Sequence, residues 1–123
     1  MSRSAATPWL QLRVKLDAAA AFGPGKADLL EHIAQTGSIS AAARHMRMSY
    51  KRAWQLVDDM NGYFREPLVT TAAGGTAGGG AAITPTGQRI LAAYRALQQH
   101  AQTASKRELA LFARLARPAA RKA

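Results

Sequence analysis

SISAAARHMRMSYKRAWQLVDDMNGY, residues 38–63, reads as a short helix, a tight break and a longer amphipathic helix. Ser38 and Ser40 are both suited to capping the first helix, expected over residues 40–46, and Ser49 to capping the second. Ala41, Ala42 and Ala43 are small enough to let a neighbouring helix approach closely, and Arg47-Met48 makes the break. At about 100° per residue, Ala53, Leu56, Val57, Met60 and Phe64 form one apolar stripe on the second helix. Lys51 and Gln55 lie nearly opposite that stripe, with Arg52 on one side of them and Trp54 on the other. Four basic residues, Arg44, Arg47, Lys51 and Arg52, surround the break, and no acid occurs between Gln35 and Leu56. A cationic, amide-bearing outer face is what reading DNA from the major groove demands. Lys or Arg matches guanine O6/N7, and Gln matches adenine N6/N7. The stretch is therefore expected to be a helix-turn-helix with its second helix, residues 49–63, as the reading element. Many such turns hold a glycine, and Arg47 departs from that pattern.

Outward from this stretch, residues 9–17, WLQLRVKLD, alternate with a period of two and predict a half-buried strand. Residues 18–22 form a connection, and Gly23-Pro24-Gly25 is a strong turn signal. Gly23-Pro24-Gly25-Lys26 lacks the glycine spacing and the Ser/Thr of a nucleotide phosphate loop. Residues 26–36 turn helical, with Leu29, Leu30 and Ile33 on one face and Gly37 placed for a left-handed cap.

On the other side, Leu68-Val69-Thr70-Thr71 and Ala81-Ala82-Ile83-Thr84 predict two short strands joined by AAGGTAGGG, residues 72–80. This is a hairpin of the kind that forms a wing. No charged residue occurs in residues 67–84, so any contact it makes with DNA falls to backbone amides or hydroxyls, with Gly75, Thr76 and Gly78 expected closest. Thr84 as cap and Pro85 at the first helical position start the last element. Ile90, Tyr94, Leu97 and Ala101 continue at helical spacing and are expected at a dimer interface. Unbroken to residue 116, this helix would be about 48 Å long, which calls for a partner helix; a break near residues 103–105 is the alternative. Residues 85–123 hold eight Lys/Arg and one acid, a surplus suited to phosphates or to keeping an exposed helix in solution.

The 123 residues make one domain with an arm and a tail: a disordered start at 1–8, a winged helix-turn-helix at 9–84, a dimerisation helix at 85–116 and a basic tail at 117–123. The expected fold is mainly α with a small β component. A net charge of +10 points to a polyanionic partner. With no cysteine, disulfides and thiolate metal sites are excluded, and the cytoplasm, at the nucleoid, is the expected location. No signal peptide or membrane-spanning run is expected. His32, His45 and His100 are scattered without metal-ligand spacing, His45 being read as a surface or phosphate-facing residue, and the serines serve as caps. An enzyme, a metal and a cofactor are therefore not expected.

Residues 11–100, about three-quarters of the chain, resemble the N-terminal DNA-binding domain of the molybdate-dependent ModE-type regulators, whose winged helix is akin to that of LysR-type regulators. The resemblance rests on GSISAAARHMRMSYKRAW, the PLV strand, the GGTAGGG wing and ITPTGQRILAAYR. It implies a homodimer on palindromic double-stranded DNA, joined through the first and last helices of this domain. Carried over by position, the recognition helix is residues 49–63 and the wing residues 72–80; the residues expected to bind DNA are Arg44, Arg47, Ser49, Tyr50, Lys51, Arg52, Trp54 and Gln55, with Gly75, Thr76 and Gly78 of the wing. Thr76 stands where the family wing often carries a basic residue. Molybdate binding, which in the family belongs to later domains, is not expected in this chain. Two other functions fit the composition: an architectural DNA binder driven by the Arg-rich end, or a winged-helix adaptor for another protein.

Overall fold

A computed structural model describes residues 7–72 and 80–118. In chain order the elements are β1 (Val14–Lys15), β2 (Ala21–Phe22), α1 (Pro24–Thr36), α2 (Ile39–His45), α3 (Tyr50–Tyr63), β3 (Val69–Thr71), β4 (Ala81–Ile83), α4 (Pro85–Ala104) and α5 (Lys106–Leu115). Among the described residues, β1 pairs with β2 and β3 with β4, both antiparallel.

The core is where α1, α2 and α3 meet above the hairpin. Leu29, Leu30 and Ile33 of α1, Ala42 and Ala43 of α2, Ala53, Val57 and Met60 of α3 and Leu68 beside β3 are all buried. Each large side chain among them contributes about 1.5–3 kcal/mol by leaving water. The alanines set how closely the helices approach, as expected from the run at 41–43. Gly37 ends α1 in the left-handed region at φ 71°, and its carbonyl accepts from the Ala81 amide at 2.9 Å. One residue thus stops a helix, starts the turn into α2 and holds the base of the hairpin. At the foot of α4, Gly87 is forced by space. A Cβ there would lie 2.4 Å from the Leu68 carbonyl oxygen.

The N-terminal segment differs from the long strand expected over residues 9–17. Only Val14 and Lys15 pair, with Phe22 and Ala21, so residues 18–22 supply a short strand of their own. The turn between them is held by Asp17, whose carboxylate accepts from the amides of Ala19 and Ala20 at 2.8 Å each; those bonds hold it below the ordinary aspartate range. The preceding residues do alternate in exposure, but they lie along α4 and not in a sheet. Gln102 accepts from the Leu10 amide at 2.9 Å and donates to the Pro8 carbonyl at 3.3 Å, so one side-chain amide does the work of a neighbouring strand. The Tyr94 hydroxyl donates to the Leu12 carbonyl at 2.7 Å.

The last element is broken, as the shorter alternative required. α4 stops at Ala104, Ser105 takes φ −102° and ψ 15°, and α5 begins at Lys106. No described residue of α5 is buried. The expected disorder at residues 1–8 and the basic tail at 117–123 fall largely on residues 1–6 and 119–123, which lie outside the described residues.

Candidate nucleic-acid interface

Ser38 and Ser49 perform the capping that their positions imply. The Ser38 hydroxyl accepts from the Ala41 amide and the Ser49 hydroxyl from the Arg52 amide, both at 3.0 Å. Each bond satisfies an otherwise orphaned donor at a helix start and is worth about 1 kcal/mol. Ser40 is not a cap; its hydroxyl accepts instead from Arg44 at 3.1 Å. Between the two helices Arg47 adopts φ 56°, the left-handed conformation that glycine occupies most easily. The expected departure from glycine is therefore real, and the turn accommodates a cation at some cost in backbone strain.

The inner side of α3 consists of Ala53, Leu56, Val57 and Met60, none more than 7% exposed. Lys51, Arg52 and Gln55 are exposed on the other side. Tyr50 is 55% exposed and meets the half-buried Trp54 edge-on, with ring centroids 6.2 Å apart. Trp54 itself packs against the core, which fixes that pair in place. Arg44 and Arg47 are exposed as well. The structure therefore gathers Arg44, Arg47, Ser49, Tyr50, Lys51, Arg52, Trp54 and Gln55 around the break and the first two turns of α3. Gly75, Thr76 and Gly78 of the hairpin tip lie outside the described residues.

A cleft separates α3 from the hairpin base, lined by Ser40, Tyr50, Trp54, Thr71 and Gly80. The polar groups its lining residues carry are hydroxyls, the Trp54 indole N–H and backbone. The hairpin is fixed to α3 by a residue that charge and periodicity pass over. Asn61 accepts from the amides of Leu68 at 2.8 Å and Val69 at 3.0 Å and donates to the Val69 carbonyl at 3.0 Å. Its only signal in the sequence is an amide side chain near the end of a helix, shortly before a strand.

Two expectations change, and a third residue gains a contact. Tyr94 does not face outward with Leu97 and Ala101: it is 3% exposed, packs edge-on against Phe22 at 5.4 Å, and its buried phenol is raised above the ordinary tyrosine value. A side chain consumed by its own core has little to offer a second copy. Ile90 and Ala101 are half-buried and Leu97 is 43% exposed, and the open face of α4 runs through Ala93, Ala96, Leu97, His100 and Ala104. Arg95 is not free for phosphate, because it pairs with Asp28 at 2.9 Å and Glu31 at 2.6 Å on α1. His45 is exposed, as expected, and its ring stacks on that of His32 with centroids 5.3 Å apart and 9° between the planes. Parallel imidazoles present faces to one another, so their lone pairs do not converge on an ion, and no cluster of three metal-ligating residues occurs among the described residues.

Three helices around a helix-turn-helix, followed by a two-stranded hairpin, make a winged helix-turn-helix domain. Residues 26–88 match the family of bacterial regulatory helix-turn-helix proteins, lysR family, and the chain belongs to it. That family is one of regulatory proteins. The chain is 51% identical over 79 residues to the molybdenum-pterin-binding protein MopB of Rhodobacter capsulatus, an alignment covering 64% of this chain and 29% of MopB. It is 42% identical over 97 residues to the molybdenum transport protein ModE of Azotobacter vinelandii (79% of this chain, 36% of that protein). It is also 42% identical over 93 residues to the DNA-binding transcriptional dual regulator ModE of Escherichia coli K12 (76% and 36%). The chain thus spans about a third of the length of these curated relatives. No described helix is long and apolar enough to cross a membrane.

Proposed function

We propose that this chain is a sequence-specific transcriptional regulator that binds palindromic double-stranded DNA as a homodimer in the cytoplasm, at the nucleoid. One observation carries the reading. α3 buries one side completely while its first two turns expose Lys51, Arg52 and Gln55, and its first acids, Asp58 and Asp59, come later. Such a helix has nothing left to do inside the protein. In the major groove, Lys51 is placed for guanine and Gln55 for adenine, with Arg44, Arg47 and Arg52 at phosphates. Residues 72–80 act as the wing, near the backbone, through amides and hydroxyls. Residues 9–84 form the DNA-binding unit and residues 85–116 the dimerisation unit, with Leu97 and Ala101 on the shared face. The ModE of Escherichia coli, described as a DNA-binding transcriptional dual regulator, supports the same assignment. Molybdate binding is not part of the proposal for this chain.

Fluorescence anisotropy with a preferred duplex and a scrambled one tests the reading. Lys51→Ala or Gln55→Ala is expected to erase the preference, each base interaction contributing about 1–3 kcal/mol of discrimination, while leaving salt-sensitive binding to both duplexes. Preference retained in both variants would remove α3 as the reading element.

A further inference from the structure

The two flanks of α3 differ in a way that the reading face does not explain. Lys51 and Gln55 stand within about 40° of one another around the helix. On one flank, Tyr50 and Trp54 border the cleft beneath the hairpin, among whose lining residues there is no cation. On the other flank, Arg52, Leu56 and Tyr63 border a second cleft of about 370 Å³. Its opposite wall is built by Arg13 from β1's lead-in and by Gly25 and Lys26 from the first turn of α1. Three cations from three elements therefore face one space that no acidic side chain lines.

None of the three is neutralised by the protein. Among the described residues the only ion pairs are those of Arg95. Lys26 is held by an aromatic ring, its Nζ 5.4 Å from the centre of Tyr63, which steadies the ammonium without cancelling its charge. Arg13 lies along Gly23, whose Cβ position would be 3.5 Å from the Arg13 Cγ and 3.6 Å from its Nε, and the residue as a whole is exposed. Like charges gathered in one cleft repel each other unless an anion shares the space. The positive end of the 13-residue helix α1 opens onto the same place and adds to the field, although the cations stand without it.

A helix about 10–12 Å across fills a major groove about 12 Å wide, so the two DNA backbones pass along its two flanks. We infer that the cleft formed by Arg13, Lys26 and Arg52 is a phosphodiester-binding site for the DNA strand on the flank of α3 opposite the hairpin. This rests on the DNA-binding reading above and adds Arg13 and Lys26, which that reading does not use. The hairpin-side cleft, by contrast, has no cation among its lining residues, and Arg44 reaches it through Ser40 at 3.1 Å.

The test uses the full chain carrying Arg13→Gln and Lys26→Gln together, with Arg13→Lys and Lys26→Arg as the charge-conserving pair. Affinity for a preferred and a scrambled duplex is measured by anisotropy over a range of salt, alongside the thermal midpoint of each protein. The expected result is a shallower dependence of log K on log salt, by about one for each phosphate no longer neutralised, with the ratio between duplexes unchanged. The charge-conserving pair should restore the wild-type slope at an equal thermal midpoint. A slope unaltered by the glutamine pair, while wild type binds DNA in a salt-dependent way, overturns this site alone. If wild type has no salt-dependent affinity for DNA, the DNA-binding reading falls and this occupant with it. A thermal shift with inorganic phosphate that the glutamine pair abolishes, together with an unaltered DNA slope, would reassign the cleft to a free anion.

Discussion

Arg47 carries a tension between stability and charge. Its φ of 56° costs a non-glycine residue about 1–2 kcal/mol, and glycine would relieve that at the expense of greater freedom in the unfolded chain. Arg47→Gly should therefore unfold in urea at the same or slightly higher stability, by up to about 1 kcal/mol, yet bind DNA more weakly. Loss of stability would mean that the arginine side chain holds the turn. Asn61 carries the opposite kind of role, structural and remote from charge. Three hydrogen bonds from one half-buried amide tie the end of α3 to the start of β3. Asn61→Ala leaves two amides and a carbonyl without those partners and is expected to cost about 2–3 kcal/mol in urea unfolding. A cost near zero would show that water replaces the side chain freely. Burial, not charge, decides Tyr94, and the same helical spacing that suggests an interface also fits a core residue.

At the level of elements, local pattern is legible wherever the elements are decided locally. Serine caps, the apolar stripe of α3, the glycine that ends α1 and the threonine-proline start of α4 each act within a few residues, and each element appears within two residues of its expected start. The N-terminal segment departs from its pattern because its partners are distant. The period-two alternation is real, but the groups that satisfy its backbone are Gln102 and Tyr94, 92 and 82 residues away. Asn61 is silent for a related reason, since nothing in its neighbours marks a latch. Leu109, Phe112 and Leu115 continue the apolar spacing of α4 with a shift in phase, and Ser105 is where it happens. α5 then presents Leu111, Phe112 and Leu115, at 43%, 65% and 75% exposure, on one face. Under the dimer reading, Phe112→Ser with Leu115→Ser should leave the fold of the protomer unaltered and weaken self-association at least about tenfold by sedimentation equilibrium. Unchanged association would place the dimer interface elsewhere, and a monomer at all concentrations would end the dimer proposal.

For the molecule as a whole, +10 of net charge is spread unevenly over a domain whose hairpin carries none in residues 67–84. Arg95 spends its charge on α1, a partly exposed cluster worth about 0.2–1 kcal/mol, and so leaves the pool available to a polyanion. The remaining cations that the fold concentrates are those around the helix-turn-helix break and the cleft beside α3. On the proposed reading, that distribution separates sequence reading, by Lys51 and Gln55, from backbone grip, by their neighbours. Composition alone could not separate them, because which cations are free depends on contacts between distant elements. Selection of binding sites from random double-stranded DNA, carried out with the full chain, tests the central claim that α3 reads sequence. An enriched palindrome whose half-sites lie about one helical turn apart is expected, lost when Lys51 and Gln55 are both replaced by alanine. Salt-sensitive binding with no enriched sequence in the wild-type protein would contradict it.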